Sequence, residues 1–387
     1  MFAIPLAWLQ LKRERVRLLI ALAGIGFAVI LMFIQLGFKD ALFESAVRFH
    51  RNLQGDIFMI SPQSTAMIAM RSFSQRRLYE ALSYEGAESV SPVYLAFGFW
   101  KNPADRNTRN IQVIGFDPSN PIFGPELLPQ IAPMRLPDTV LFDDKSRPEF
   151  GPVSTLFAQQ GSALVTEVDG HRVRVGGLFS MGASFGADGN LITSDLNFLR
   201  IFKQRRQMGQ IDLGVIKLKP GANTQRVLAE LKRNIQDQTQ DVRVLTKQEL
   251  VDFEQHYWKS STAIGFIFTL GTVIGFVVGT VIVYQILYTD VSDHLAEYAT
   301  LKAMGYKNVY LLSVVFQEAL ILAVLGFIPG LILSMVLYHL THNATSLPIA
   351  MNSERAIMVF CLAVVMCMAS GAIAVRKVQD ADPADIF

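Results

Sequence analysis

The chain has 387 residues, 51% of them hydrophobic and only 18% charged, with a formal net charge of +2. A soluble domain carries about 25% charged residues, so much of this chain avoids water, and the near-neutral charge argues against nucleic acid as a partner. The two cysteines, Cys361 and Cys367, both fall in the last apolar stretch. They leave no disulfide framework elsewhere and, on a helix, do not share a face for metal binding.

Residues 1–17, MFAIPLAWLQLKRERVR, read as a short amphipathic helix on the cytoplasmic membrane surface, with Trp8 at the interface. Leu18 to Phe38 follows, 21 residues without a charge. At about 1.5 Å per residue such a helix crosses a hydrocarbon core of roughly 30 Å. The run is longer than the core of a signal peptide, and LGFKDALFESA after it carries no small-residue cleavage site. It is therefore expected to be retained as the first transmembrane helix, 18–38. Lys12, Arg13, Arg15 and Arg17 outweigh Glu14 just before it, which places the N-terminus in the cytoplasm by the positive-inside rule.

Residues 39–259 then lie outside as one α/β domain, with room for two lobes. IQVIGFDP, TVLFDD, HRVRVGGLF, NLITSD and QIDLGVIKLKPG are strand-like runs closed by turn residues. ANTQRVLAELKRNIQ reads as a helix capped by Asn223 or Thr224, with Val227, Leu228, Leu231 and Ile235 on one stripe. The basic cluster FKQRRQ (Phe202 to Gln207) reads as a solvated face. GASFG (Gly182 to Gly186) matches the G-x-S-x-G of a nucleophile elbow, with Ser184 in the nucleophile position. An elbow needs a helix directly after it, whereas a turn and another strand follow here, so a structural loop is expected.

Three further apolar runs complete the membrane part: a second helix over 260–288, a third over 309–341 and a fourth over 356–375. They are joined by a cytoplasmic loop, 289–308, and a short external loop, 342–355. The tail 376–387 returns to the cytoplasm, flanked by Arg376 and Lys377. The expected fold is thus an integral α-helical membrane protein with four transmembrane helices and a large external α/β domain. Gly271, Gly275 and Gly279 stand four apart in the second helix and allow another backbone to approach; Gly326 and Gly330 repeat the spacing in the third. Glu318 lies inside the third helix, where a packing or conformational role is favoured over proton relay. At that depth a glutamate side chain can lean toward water. No G-x-x-x-x-G-K-[ST] phosphate loop and no H-E-x-x-H zinc motif occurs in the sequence.

The loop 289–308 contains EYATLKAMGYKN, Glu297 to Asn308. Ser292 is expected to cap a helix from Asp293 to Met304, with Leu295, Tyr298 and Leu301 toward one side. Lys302 falls in the last turn and Gly305 stops the helix. A loop that only reverses the chain needs no such helix; a cytoplasmic partner that pushes on the membrane part does.

DHLAEYATLKAMGYKNVYLLSVVFQEALILAVLGFIPG resembles the MacB/FtsX-like permease family, in which an E-x-x-x-L-[RK]-A-x-G helix joins the second and third spans. Glu297, Tyr298, Leu301, Lys302 and Gly305 fall on that helix. Glu318, Gly326 and Gly330 match the acid and paired glycines of the family's third span, and VRKVQDADPADIF looks like its ending. The N-terminal IPLAWLQLKRERVRLLIALAGIGFAVILMFIQLGF looks more narrowly like the DevC-type permeases of cyanobacterial DevBCA-like exporters. The resemblance implies a MacB-like (type VII) ABC transporter architecture and a non-catalytic subunit in the bacterial inner membrane, with both termini cytoplasmic. It implies a separate DevA-like ATPase that binds ATP and Mg, a DevB-like periplasmic adaptor, a TolC-like outer-membrane protein, a second copy of the chain and membrane lipid as partners. The implied cargo is glycolipid or another hydrophobic molecule. The rival readings are an FtsX-like regulator of a cell-wall hydrolase and a lipoprotein-releasing permease.

Overall fold

The computed structural model describes residues 15–374 apart from Lys307 and Ser346, so the N-terminal stretch to residue 14 and the ending VRKVQDADPADIF lie outside the described residues. The chain divides into a helical unit, drawn from the chain up to Ala41, Ala263–Ala344 and the chain from Ile349 onward, and an α/β unit of Leu42–Thr262 with Thr345–Pro348.

Among the described residues, four helices are long and apolar enough to cross a membrane: Arg15–Asn52, Ala263–Asp293, Leu312–Thr345 within a helix that begins at Asn308, and Ser353–Ala374. The first helix runs on past Phe38, because Leu42, Phe43, Ala46, Val47 and Phe49 give its tail an apolar face to bury in the α/β unit. Its first part is the hub of the helical unit. Ile25, Ala28, Val29, Met32 and Phe33 are buried there against Leu322, Ala323, Val359 and Met366. Two ion pairs mark the ends of this stretch. Arg17 pairs with Asp290 at 3.5 Å and, more closely, with Asp293. The buried Arg355 reaches Asp40 at 2.7 Å, donates to the carbonyl of Ala350 at 2.8 Å and stacks over the ring of Tyr338. From Arg17 to Asp40 the helix rises about 34 Å, close to the thickness of a hydrocarbon core, so both clasps stand where charge meets water.

In the α/β unit nine strands form one sheet. They are β1 (Ile57–Ile60), β3 (Ala87–Lys101), β4 (Thr108–Phe116), β5 (Thr139–Asp143), β6 (Val165–Val168), β7 (His171–Phe179), β8 (Asn190–Ser194), β10 (Leu213–Leu218) and β11 (Arg243–Thr246). The order is β11-β1-β10-β3-β4-β8-β5-β7-β6, with β4–β8 and β5–β7 parallel and the other pairings antiparallel. A two-residue β2 (Phe73–Ser74) pairs separately with β9 (Gln210–Ile211). The sheet is buried on both faces: Ile57 and Met59 of β1 enter one core, Phe58 and Ile60 the other. Strands covered on both sides read as continuous apolar runs such as IFMI and TVLFD rather than as alternation. The helix Thr224–Leu231 covers one face; Asn223 caps it by accepting from the N–H of Arg226, and Val227, Leu228, Leu231 and Ile235 are buried. The tail of the first helix and the helix Lys247–His256 cover the other, through Phe49, Leu53 and Leu250.

Lys203, Gln204, Arg205 and Gln207 of the basic cluster FKQRRQ are exposed, as a solvated face requires, whereas Phe202 is buried and Arg206 half-buried. Arg206 donates to the fully buried Asp212 at 2.7 Å and to the carbonyl of Leu95, and Arg205 pairs with Asp169. Asp212 also accepts from the N–H of Leu95 at 2.7 Å, so the buried carboxylate needs this arginine as its counter-charge. Arg206 is spent on folding.

Two predictions follow from packing and burial. The Tyr338 hydroxyl donates to the carbonyl of Phe33 across the backbone of Gly37, where a Cβ would overlap the tyrosine ring. Gly37→Ala is expected to lower the stability of the detergent-solubilised protein by about 1–3 kcal/mol, read as a drop in Tm, and an unchanged Tm would refute the contact.

The second concerns Glu254, which is buried and accepts from the N–H of Met67 at 2.7 Å and the indole of Trp258 at 2.8 Å. Burial pushes its carboxyl from 4.5 up to about 7, against the pull of those donors. A folded value above the unfolded one contributes stability that is complete below about pH 4.5 and declines as pH rises toward 7. Glu254→Gln does not titrate, so the Tm advantage of the wild type over this variant should shrink between pH 5 and pH 8, by about 3 kcal/mol in stability. A pH-independent difference would show that Glu254 ionises as freely in the fold as outside it.

Candidate functional site

The connection between the second and third membrane helices is a helix, Leu295–Ala303, bounded on both sides by non-helical backbone. The second helix continues to Asp293, so Ser292 is not a cap; its hydroxyl donates to the carbonyl of Tyr288 inside that helix. The break falls at His294, whose ring nitrogen Nδ1 donates to the carbonyl of Asp290 at 3.0 Å. Arg17 pairs with both Asp290 and Asp293 on the last turn of the second helix, just before this break. Glu297 is exposed in the first turn and Lys302 lies in the last, each complementing the helix dipole. Gly305 ends the helix with φ +93° and donates its N–H to Lys302 at 3.0 Å, a conformation that glycine adopts without strain. The backbones of Tyr298 and Leu301 belong to this helix; their side chains lie outside the described residues.

The glycines of the second helix face the first and fourth. A Cβ on Gly271 would come within 2.5 Å of Gln35, one on Gly275 within 3.3 Å of Leu31, and one on Gly279 would overlap Met366 and Ala28. Gly326 and Gly330 of the third helix meet the first, at 2.5 Å from Ile25 and 2.7 Å from Val29. The first helix answers with Gly26, whose Cβ would lie 3.7 Å from the carbonyl oxygen of Gly326. Glu318 does not lean toward water. It is buried in the third helix beside Ala319, which itself packs against Gly371 of the fourth. Cys361 is exposed and Cys367 buried on the fourth helix.

Ser184 has no place in a nucleophile elbow. It sits in the loop between β7 and β8, and its hydroxyl accepts the N–H of Ala187 at 3.1 Å within its own turn. Among the described residues no group of three or more His, Cys, Asp and Glu side chains is arranged to hold a metal ion.

Sequence reasoning treated Arg17 only as a cation that sets topology. Its acidic partners stand 273 and 276 residues further along, a separation over which no local pattern signals a pair. A hint was available in the acids themselves. Asp290 and Asp293 fall three apart just beyond an apolar run, where an unneutralised pair on one helix face would repel.

Residues 18–234 match the MacB-like periplasmic core domain, and residues 269–383 match the FtsX-like permease C-terminal domain. Two solved structures resemble the α/β part. The periplasmic region of MacB from Actinobacillus actinomycetemcomitans is 10% identical, with a TM-score of 0.37 over 55% of this chain and 96% of that one. The extracellular domain of the noncanonic ABC-type transporter YknZ from Gram-positive bacteria is also 10% identical, with a TM-score of 0.33 over 50% and 99%. No curated protein matches the chain. With the two domain matches covering the apolar helices, the connecting helix and most of the sheet, the chain belongs to the MacB/FtsX-like permease family, the membrane subunits of ABC transporters.

Proposed function

We propose that this permease transmits ATP-driven movement of a separate ATPase subunit into its α/β unit, and that the helix Leu295–Ala303 is where the ATPase pushes. The observation that carries the reading is this short helix, set off by the break at His294 and by Gly305 between two membrane helices. A plain reversal of the chain needs neither boundary. Arg17 ties the turn just before this helix to the first membrane helix, so a push on Leu295–Ala303 is delivered to the hub of the bundle. In this reading ATP and Mg are bound by the partner.

In this reading the basic residues before the first span set both termini in the cytoplasm and the α/β unit on the far side of the inner membrane. The chain pairs with a second copy, and the α/β unit engages a DevB-like adaptor leading to a TolC-like outer-membrane duct. The DevC-like N-terminal stretch supports export of glycolipid or another hydrophobic cargo. A copurifying cell-wall hydrolase in place of an adaptor would instead identify an FtsX-like regulator, and retention of lipoproteins on depletion a lipoprotein-releasing permease.

The test is Leu301→Asp at matched membrane levels. An unpaired charge in a protein contact is expected to cost several kcal/mol, so the ATPase should dissociate or lose coupling while the permease inserts and keeps its α/β fold. ATPase copurification from mild detergent reads the outcome, and unchanged binding with unchanged coupling would sink the assignment.

A further inference from the structure

The GASFG stretch, which has no catalytic geometry, belongs to a loop with anchors on three sides. Loop 180–189 leaves β7 and returns in β8, crossing the end of β5, the strand between them. There Asp143, fully buried, accepts the N–H groups of Met181 at 3.0 Å, Gly182 at 2.8 Å and Lys145 at 3.1 Å, and the side-chain amide of Asn190 at 2.8 Å. Asn190 also donates to the carbonyl of Gly182 at 3.1 Å. The base of the loop therefore cannot slide along β5 and β8 without leaving a buried carboxylate unsatisfied.

The second anchor is the tail of the first membrane helix. Arg48 donates to the carbonyl of Met181 at 2.9 Å, and its guanidinium lies where a side chain on Gly182 (φ +90°) would stand. The Ser45 hydroxyl donates to Leu42 and accepts the N–H of Phe185 at 3.2 Å. The third anchor is the five-residue π-helix Tyr257–Ser261, which leads into the second membrane helix. Phe185 meets Trp258 there edge to face, with ring centroids 4.9 Å apart at 88°. Trp258 is itself held by its hydrogen bond to Glu254 at 2.8 Å. The segments Leu42–Asn52 and Tyr257–Thr262, at the two ends of the long α/β stretch, thus both meet this loop, the first through hydrogen bonds and the second through the Phe185–Trp258 ring contact.

We propose that loop 180–189 is the joint that passes relative movement of these two attachment segments into the central sheet, with Phe185 as its positioning residue. The inference rests on the reading of the chain as a transmitter of ATP-driven motion. Movement of the Trp258 turn against the first helix is felt at Phe185, carried along the stiff base of the loop and delivered to β5 and β8 through Asp143.

The experiment is hydrogen exchange on the full-length permease with its copurifying ATPase, with and without ATP and vanadate. In the wild type the nucleotide should change exchange in residues 254–262, 180–189 and 139–147. Phe185→Ala should keep the change in 254–262 and reduce that in 139–147 at least threefold, whereas Phe185→Tyr restores it and Ser184→Ala leaves it intact. Should Phe185→Ala lower the Tm, Phe185→Leu, which keeps apolar volume without a ring, carries the same comparison. A change in 139–147 as large in the ring-less variant as in the wild type overturns the joint and leaves the transmission reading standing. No nucleotide-dependent change anywhere in the wild-type α/β unit, or a Leu301→Asp protein that behaves as wild type, overturns the reading itself and the joint with it.

Discussion

The close approach of the first membrane helix to its neighbours is the constraint on which the helical unit depends. In lipid, apolar side chains gain little by leaving one apolar surface for another, so association rests on contact distance and on hydrogen bonds. Gly26, Gly326 and Gly330 remove side chains where the first and third helices meet, and Gly275 and Gly279 do so toward the first and fourth. Tyr338 uses the gap at Gly37 to reach a main-chain carbonyl of the first helix. The ion pairs at Arg17 and Asp40 then fix that helix lengthwise at both ends. Each is only partly buried, so its worth lies in register rather than in raw stability.

The α/β unit solves a different problem. Its sheet is sealed on both faces, and every polar group inside it must find a partner. Asp143 collects four N–H donors, Asp212 takes a guanidinium and a main-chain N–H, and Glu254 takes an indole and a main-chain N–H. These carboxylates stand where irregular chain meets regular elements: Asp143 at the end of β5 beneath loop 180–189, Asp212 between β9 and β10, and Glu254 just before the π-helical segment that leads into the second membrane helix. Polar satisfaction, rather than apolar contact alone, holds the irregular segments in place.

The two units share one continuous helix, Arg15–Asn52, which supplies the hub of one and covers a sheet face in the other. The connecting helix Leu295–Ala303 lies next in sequence to the acids that hold Arg17, and the tail of the same first helix carries Ser45 and Arg48.

The sequence by itself determined the four membrane helices, the strands IQVIGF, TVLFD and NLITS, a helix cap at Asn223 or Thr224 and the glycine stop at Gly305. In each the cause is local: a bilayer admits an apolar run of this length only as a helix, and a cap or a positive φ is set by residues one to four apart. Strand β3 escaped notice because Pro92 and its mixed pattern read as irregular chain until β4 and β10 pair with it. Ser292 as a cap was plausible from its neighbours, but the second helix runs on to Asp293, and Glu318, whose side chain could have leaned toward water, is buried. Only the tertiary structure decided that Arg17 meets Asp290, that Arg355 meets Asp40 and that loop 180–189 touches both attachment segments. The physical reason is that a charge or a ring carries no address. Its partner is whichever complementary group the fold brings within a few ångströms, and for these pairs the chain between them is more than a hundred residues or the turn of a whole sheet.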